Sequence, residues 1–368
     1  TKFLEEHEWD VHFKGNTNLG EWFFDFTIIK LKDSKLGFNL YLVDINGLLD
    51  RPKIYGYTDD TDRFLGFQIA VVNWLSNWAK QPDIVHCHDH QAGLVPFMMK
   101  HCYDYKKLQN VKTVLTIHNA QYHGSMDWDK STLIPKWDEW KHGLLAWNNN
   151  INPLATAVKC ADKVTTVSPT YMQELKLHSN GLESLFVNEQ GKCIGILNGI
   201  DNELWDPAID PMVPFHYSLN DVIEGKRKNK EAICDRYNLN IDKPLIVFIG
   251  RLATDKNPEA FIEILRRLQY PGLVIGDGVL MEGLKKQSAG KLPDIEFVGH
   301  NLEPWKLLKD GDLLIVPSKF EGDGLVIAEA VLGGFPLLAS QISEFRRFYL
   351  SEYCYCDSEE EFIARIQE

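Results

Sequence analysis

The sequence predicts an α/β protein built from two doubly wound parallel sheets. Three observations carry this. Short apolar runs of strand length alternate with amphipathic stretches of helical length. The alternation occurs in the first half of the chain and again in the second. The chain has 368 residues, more than one ordinary domain holds, so two are expected.

Taken in order, "EWDVHFKG", "WFFDFTIIKL" and "FNLYLVDI" read as a β-hairpin-rich opening, with "NTNLG" and "KDSKLG" as its connections. Then come three expected buried parallel strands, "PDIVHCHD" (82–89), "VKTVLTIHN" (111–119) and "ADKVTTVSP" (161–169), the first two joined by the crossover helix "QAGLVPFMMKHCYDY". The later half repeats the rhythm in "PLIVFIGR", "GLVIGDG", "IEFVGH", "DLLIVPS" and "FPLLAS". After the first of these, Asn257 is expected as an N-cap and Pro258 as the first helical residue, with Phe261, Ile262 and Leu265 at helical spacing. Gly, Asn and Pro punctuate "GILNGIDNELWDPAIDP" (195–211), and the domain junction is expected there, dividing 1–198 from 199–368.

Composition excludes some classes of function. Hydrophobic residues make up 44% and charged residues 25%, the balance of a globular protein. No run approaches the ~18 apolar residues of a membrane span, and the opening "TKFLEEHEWD" is not a secretory signal. The net charge of −13 disfavours nucleic acid as a general partner. The seven cysteines are scattered, Cys354 and Cys356 lying two apart rather than in a C-x-x-C pair, and are expected as buried thiols of a cytoplasmic protein.

Three constellations carry chemistry. Arg251 and Lys256 sit where the strand "PLIVFI" hands over to a helix. The loops beyond the carboxyl ends of parallel strands are where such sheets bind ligands. A planar guanidinium fork beside a compact ammonium suits a pyrophosphate; spacing alone also fits two solvated surface cations. In "PSKFEGDGLVIAEAVLGGFP" (317–336), Gly322 and Gly324 precede an apolar run and place a helix start near Leu325, where backbone N–H groups face an anion. Glu321 then stands at the mouth of that site, and Glu329 one turn inside the helix, placed to accept bonds from sugar hydroxyls. An ordinary capped helix with surface glutamates is the alternative. Third, "HCHDHQAG" (86–93) and "TIHNAQYHG" (116–124) put His86, His88 and His118 at strand ends, with Asn119 following. An extended strand would align His86, His88 and His90 on one face; three histidines with Asp89 raise a metal site or, alternatively, a polar cleft wall. The triplets Asp60–Asp62, Asp127–Asp129 and Asp310–Asp312 are discounted as metal holders in a chain with 52 acidic residues. "GDGVLMEGL" (276–284) has two glycines after a strand, a weak signal by itself; the strand is followed by "EFVGH", the usual place for a loop that touches a nucleotide base.

With "YLVDINGLLDRPKIYG", "DIVHCHDHQAGLVP", "TIHNAQYHG", "ADKVTTVSPTYMQEL", "GILNGIDNELWDPAID" and "GRLATDK" in this order, the chain resembles the bacterial glycogen synthases and plant starch synthases, retaining glucosyltransferases of GT-B architecture. The resemblance implies two Rossmann-like domains facing across a cleft, an N-terminal acceptor-side domain and a C-terminal nucleotide-sugar domain. It implies that His118, Arg251, Lys256 and Glu321 are catalytic. Asn119, Asn198, Asp201, Gly322, Gly324, Leu325 and Glu329 would bind the donor, and His86 and His88 would line the sugar site. The substrates would be ADP-glucose or UDP-glucose and an α-1,4-glucan, with no metal, cofactor, nucleic acid or membrane involved. A glucan- or nucleotide-binding protein without turnover, or another GT-B glycosyltransferase, are the alternatives.

The family pattern also begins with a strand and a Lys-bearing glycine-rich loop and ends with further helices. Neither has a counterpart in these residues, so the natural protein is expected to be longer. The second glutamate, Glu329, follows the broader E-x7-E transferases and leaves the donor's nucleotide open.

Overall fold

A computed structural model describes residues 2–32, 36–203, 205–211, 213–292, 294–299 and 311–368. The chain divides into two compact units, Thr1–Ile196 and Leu197–Glu368.

The first unit opens with an antiparallel sheet of β1 (Trp9–Leu19), β2 (Trp22–Leu31) and β3 (Tyr41–Asp44) in that order. The expected loop "NTNLG" is mostly strand: β1 runs on to Leu19, paired with Trp22, and only Gly20 and Glu21 turn. Gly20 has φ +61°, the left-handed backbone a two-residue hairpin needs. Phe24, Phe26 and Ile28 alternate inward along β2, and helix α1 (Asp60–Ser76) packs against β1 with Leu65, Ile69 and Val72 buried.

A parallel sheet follows, made of β4 (Ile84–His88), β5 (Lys112–Ile117), β8 (Lys163–Thr166) and β9 (Cys193–Gly195) in that spatial order. Between β5 and β8 lies a small hairpin of β6 (Ala146–Trp147) and β7 (Asn150–Ile151). Helices α2 (Val95–His101), α3 (Pro153–Cys160) and α4 (Pro169–Leu175) connect the parallel strands. Because these strands follow one another in a single direction, right-handed crossovers put all three helices on one face. Cys87, Leu115, Ile117 and Val164 are buried on that side. The opposite face carries Ile84, His86 and His88, and Ile84 and Ile194 are 58% and 56% exposed there. The expectation that "PDIVHCHD" is a buried strand is therefore wrong for every second residue: β4 is an edge strand with one covered face.

The second unit is a six-stranded parallel sheet in the order β12-β11-β10-β13-β14-β15. Its strands are β10 (Ile246–Ile249), β11 (Gly272–Ile275), β12 (Ile295–Gly299), β13 (Leu313–Val316), β14 (Leu337–Ser340) and β15 (Tyr355–Cys356). The chain builds outward from β10 in one direction, then returns to β13 and builds in the other. Right-handed crossovers then cover both faces. On one, Leu245, Val247, Leu273, Leu314 and Leu337 pack under α5 (Val222–Tyr237) and α8 (Leu325–Leu332), which bring Ile233 and Ile327. On the other, Ile246, Phe248, Val274, Ile315 and Leu338 pack under α6 (Pro258–Leu268), α7 (Met281–Ser288) and α9 (Glu359–Gln367), which bring Phe261, Leu284 and Phe362. Period-two alternation within near-continuous apolar runs serves two cores at once. Helix α6 begins at Pro258 as expected. Asn257, however, is not a side-chain cap: its backbone is left-handed (φ 53°, ψ 48°) and its side chain makes no capping bond. No helix among the described residues is long and apolar enough to cross a membrane.

Candidate functional site

In the second unit the candidate residues gather at the point where strand order reverses. Adjacent strands β10 and β13 diverge there into helices on opposite faces, and this opens a crevice beyond their carboxyl ends. The loop after β10 carries Arg251 and Lys256, and the loop after β13 carries Glu321. Lys256 Nζ lies 2.6 Å from Glu321 Oε1, which also accepts the Ser318 hydroxyl at 3.1 Å. Arg251 Nη2 lies 2.9 Å from Asp255 Oδ2. Asp255 also ties the two loops through its backbone carbonyl, which accepts Lys319 N at 2.9 Å. Each cation thus has a carboxylate partner, and the four charges sum to zero. Both cations are thereby held in fixed directions on their loop.

The Arg251 loop is fixed from its other side by "GDG". Gly276 has φ +141°, and a Cβ there would lie 1.9 Å from the Gly250 carbonyl oxygen. A Cβ at Gly278 would lie 2.4 Å from that of Leu252. The hydrogen bonds Leu252 N to Asp277 O (2.9 Å) and Leu280 N to Leu252 O (3.1 Å) need this close approach. These glycines therefore seat Arg251, a role their weak sequence signal did not reveal. Of "EFVGH", expected where a loop touches a nucleotide base, Glu296–Gly299 lie in β12 and His300 lies outside the described residues.

Helix α8 begins at Leu325, as the glycines predict, with Gly324 in the left-handed region at φ +69°. Between Gly322 and Gly324, Asp323 is buried and held by Arg347, whose Nη2 donates to both its carbonyl and its carboxylate, while Nε donates to buried Glu344. Asn198 donates to Asp323 from its side chain and its backbone. Burial raises the Asp323 carboxyl above its ordinary pKa, opposed by Arg347 and Asn198. The structure thus joins Asn198 to the α8 loop. Asp201 does something more local: its carboxylate accepts Glu203 N at 3.0 Å and its carbonyl accepts Trp205 N at 3.1 Å. Glu329 sits one turn into α8, and burial pushes its carboxyl up to about 7.

In the first unit the histidines gather at the carboxyl ends of β4 and β5. Strand periodicity puts His86 and His88 on the same face as Thr116 and, beyond the strand end, His118. His86 and His88 stack with centroids 4.4 Å apart, and His88 and His118 with centroids 5.2 Å apart. His86 Nε2 meets the Thr116 hydroxyl at 2.7 Å, and that hydroxyl meets Thr165 Oγ1 at 2.6 Å. His90 does not join them. The chain turns at Asp89 and His90 enters a 3-10 turn, its ring against Phe64 and the Cα of Gly124. The extended geometry behind the His86–His88–His90 metal alternative is therefore absent. Among the described residues, no group of three or more His, Cys, Asp or Glu side chains is placed to hold a metal ion. Three acids of the D-x-D triplets have other partners: Asp60 accepts Gly56 N and Tyr57 N, Asp62 pairs with Lys130, and Asp312 accepts Leu245 N; Asp310 lies outside the described residues.

Asp89 is the residue that sequence reasoning undervalued. Its φ of 53° with ψ of −169° falls in a region that only glycine enters freely. Its carboxylate accepts the backbone N–H of His118 at 2.7 Å and of Asn119 at 3.3 Å, while the Asn119 side chain accepts Gln121 N at 2.9 Å. The strained turn thus anchors the loop that carries His118.

Residues 2–188 match the family model for the starch synthase catalytic domain, and residues 229–366 match that for glycosyl transferases group 1. The glycogen synthase of Flavobacterium johnsoniae is 42% identical over 339 residues, covering 88% of this chain and 71% of that protein. The chain belongs to the glycogen and starch synthase family. The glycogen synthase of Streptococcus gordonii is 31% identical over 332 residues, 84% of this chain and 68% of that protein. In fold, this synthase-family chain is similar to the catalytic domain of starch synthase IV from Arabidopsis thaliana, a structure bound to ADP and acarbose. The TM-score is 0.85 at 24% identity, with 98% of this chain and 80% of that one covered. The protein is a glycosyltransferase of GT-B fold, and the two Rossmann-like sheets are its two units.

Proposed function

We propose that this synthase transfers glucose from ADP-glucose or UDP-glucose to the non-reducing 4-OH of an α-1,4-glucan, with retention, in glycogen synthesis and in the cytoplasm. The observation that carries the reading is the pairing of Arg251–Asp255 with Lys256–Glu321 at the switch point of the second sheet. That is where a Rossmann-like unit takes a nucleotide's phosphates.

In this reading Arg251, Lys256 and the N-terminus of α8 near Gly322, Gly324 and Leu325 hold the donor diphosphate. They stabilise the charge that develops as it leaves. Glu321, released from Lys256 by the incoming diphosphate, accepts from the donor glucose, and Glu329 accepts from the ribose. Asn198 and Asp201 shape the segment beside that loop. His118 meets the donor sugar, and Asn119, His86 and His88 complete its surroundings. No carboxylate is assigned as a nucleophile on the face opposite the leaving group, which the double displacement of a retaining hydrolase requires. Departure and attack then occur on one face, and the leaving diphosphate oxygen takes the acceptor's proton. No metal or cofactor is required in this scheme.

The test is release of nucleoside diphosphate from ADP-glucose or UDP-glucose in the presence of glycogen, with both donors also supplied in competition. Arg251→Ala should lower kcat on the order of 10²-fold, because the contact strengthens as charge builds. An Arg251→Ala rate equal to that of the parent protein overturns the assignment. Binding of nucleotide sugar with no turnover would favour the non-catalytic alternative.

A further inference from the structure

The contact between His88 and His118 has a chemical consequence. His88 Nδ1 lies 2.9 Å from His118 Nε2. Two imidazole nitrogens at that distance share one proton, which makes the tautomers complementary: either His88 Nδ1–H donates to a bare His118 Nε2, or His118 Nε2–H donates to a bare His88 Nδ1. Nε2 of His118 is thereby committed, and Nδ1 is the ring nitrogen left to meet a ligand on an exposed side chain. The backbone on both sides is held as well. Asp89 binds His118 N at 2.7 Å, so the ring pivots about a fixed main chain and its direction is decided at Nε2.

His88 is itself restrained. It stacks on His86, which the Thr116 and Thr165 hydroxyls hold in turn. The groups facing it are His86 on its own strand, Asp89 at the strand end and His118 beyond β5. The chain Thr165–Thr116–His86–His88–His118 spans three adjacent strand ends, and only its last member departs from the regular ladder.

We propose that His88 is a positioning residue for the transfer reaction: by binding Nε2 it locks the tautomer and direction of the His118 ring, so that Nδ1 is presented to the donor sugar. The assignment rests on the reading of His118 as a sugar contact. It gives His88 a task different from touching the sugar.

The experiment uses the full chain with ¹⁵N-labelled histidine. In the ligand-free protein the His118 nitrogens should show one tautomer with Nε2 in a hydrogen bond. His88→Ala should move both signals toward the averaged positions of a ring exchanging tautomers. It should also lower kcat roughly tenfold, as loss of orientation does, with KM for the nucleotide sugar changed less than about twofold. His88→Asn, whose amide occupies the place of Nδ1, should restore the single tautomer and most of kcat. Averaged His118 signals in the parent protein overturn the proposal even where His88→Ala does not fold. So do unaltered signals or kcat in His88→Ala, or an Asn variant no better than the Ala variant. The spectra need no substrate, so their failure leaves the sugar-contact reading standing. An unchanged rate in His118→Ala overturns that reading instead.

Discussion

At the scale of single residues, the site is assembled from side chains whose partners are as informative as their own chemistry. Arg251 and Lys256 were legible because two cations at a strand-to-helix handover are unusual. Asp255 and Glu321 as their respective partners were not, since nothing in local spacing says which carboxylate a cation meets across a loop. Asp89 escaped for a related reason: a strained backbone has no sequence signature when the residue is not glycine. Glu329 shows a further kind of context. Its folded pKa of about 7 lies above that of an exposed glutamate, so the folded state binds more protons than the unfolded state between about pH 4.5 and 7. Stability from this group is therefore full at low pH and lost as pH rises through 7. Glu329→Gln removes the titration. The variant should gain stability relative to the parent protein on moving from pH 5 to pH 8, by on the order of 1–3 kcal/mol, read as the difference in Tm at the two pH values. Parallel Tm-against-pH curves for the two proteins would contradict the burial argument.

At the scale of elements, the strands of both parallel sheets were readable from apolar runs, and α6 and α8 from Pro258 and from the glycines before Leu325. What the runs did not show was which strands have two covered faces. The alternation in β4 matches a half-exposed edge, whereas β10 and β13 are apolar throughout because two helical layers meet them. The extent of β1 was misread because Asn16, Thr17 and Asn18 look like loop residues, yet cross-strand pairing with Phe23, Phe24 and Asp25 overrides that preference. The close contact of the loops after β10 and β11 makes an element-level prediction. Gly276→Ala must relieve a Cβ placed 1.9 Å from the Gly250 carbonyl oxygen and adopt φ +141°. It should cost roughly 2–4 kcal/mol in denaturant unfolding and weaken nucleotide binding with it. A variant of parental stability would show that the two loops move apart without penalty.

At the scale of the whole molecule, the second unit has a sheet covered on both faces and two core clusters drawn wholly from its own residues. A fragment of residues 197–368 should therefore unfold in one cooperative transition, monitored by circular dichroism against urea. A gradual, non-cooperative loss of signal would mean that those cores do not suffice. The order β12-β11-β10-β13-β14-β15 also explains why the phosphate-binding candidates fall after β10 and β13 rather than after any other strand pair. There the two neighbouring strands at the centre of the sheet send their chains to opposite faces.

The sequence by itself determined the α/β class, the parallel strands and the family, because each is written in local periodicity or in contiguous motifs. Only the tertiary structure decided that Lys256 meets Glu321, that Arg251 meets Asp255, and that His88 rather than His90 meets His118. The Lys256–Glu321 and His88–His118 pairings cross between strands 30 or more residues apart, whereas Arg251–Asp255 is made within one loop four residues apart and depends on that loop's conformation. Strand order and backbone direction, rather than composition, set which side chains come within a hydrogen bond of one another.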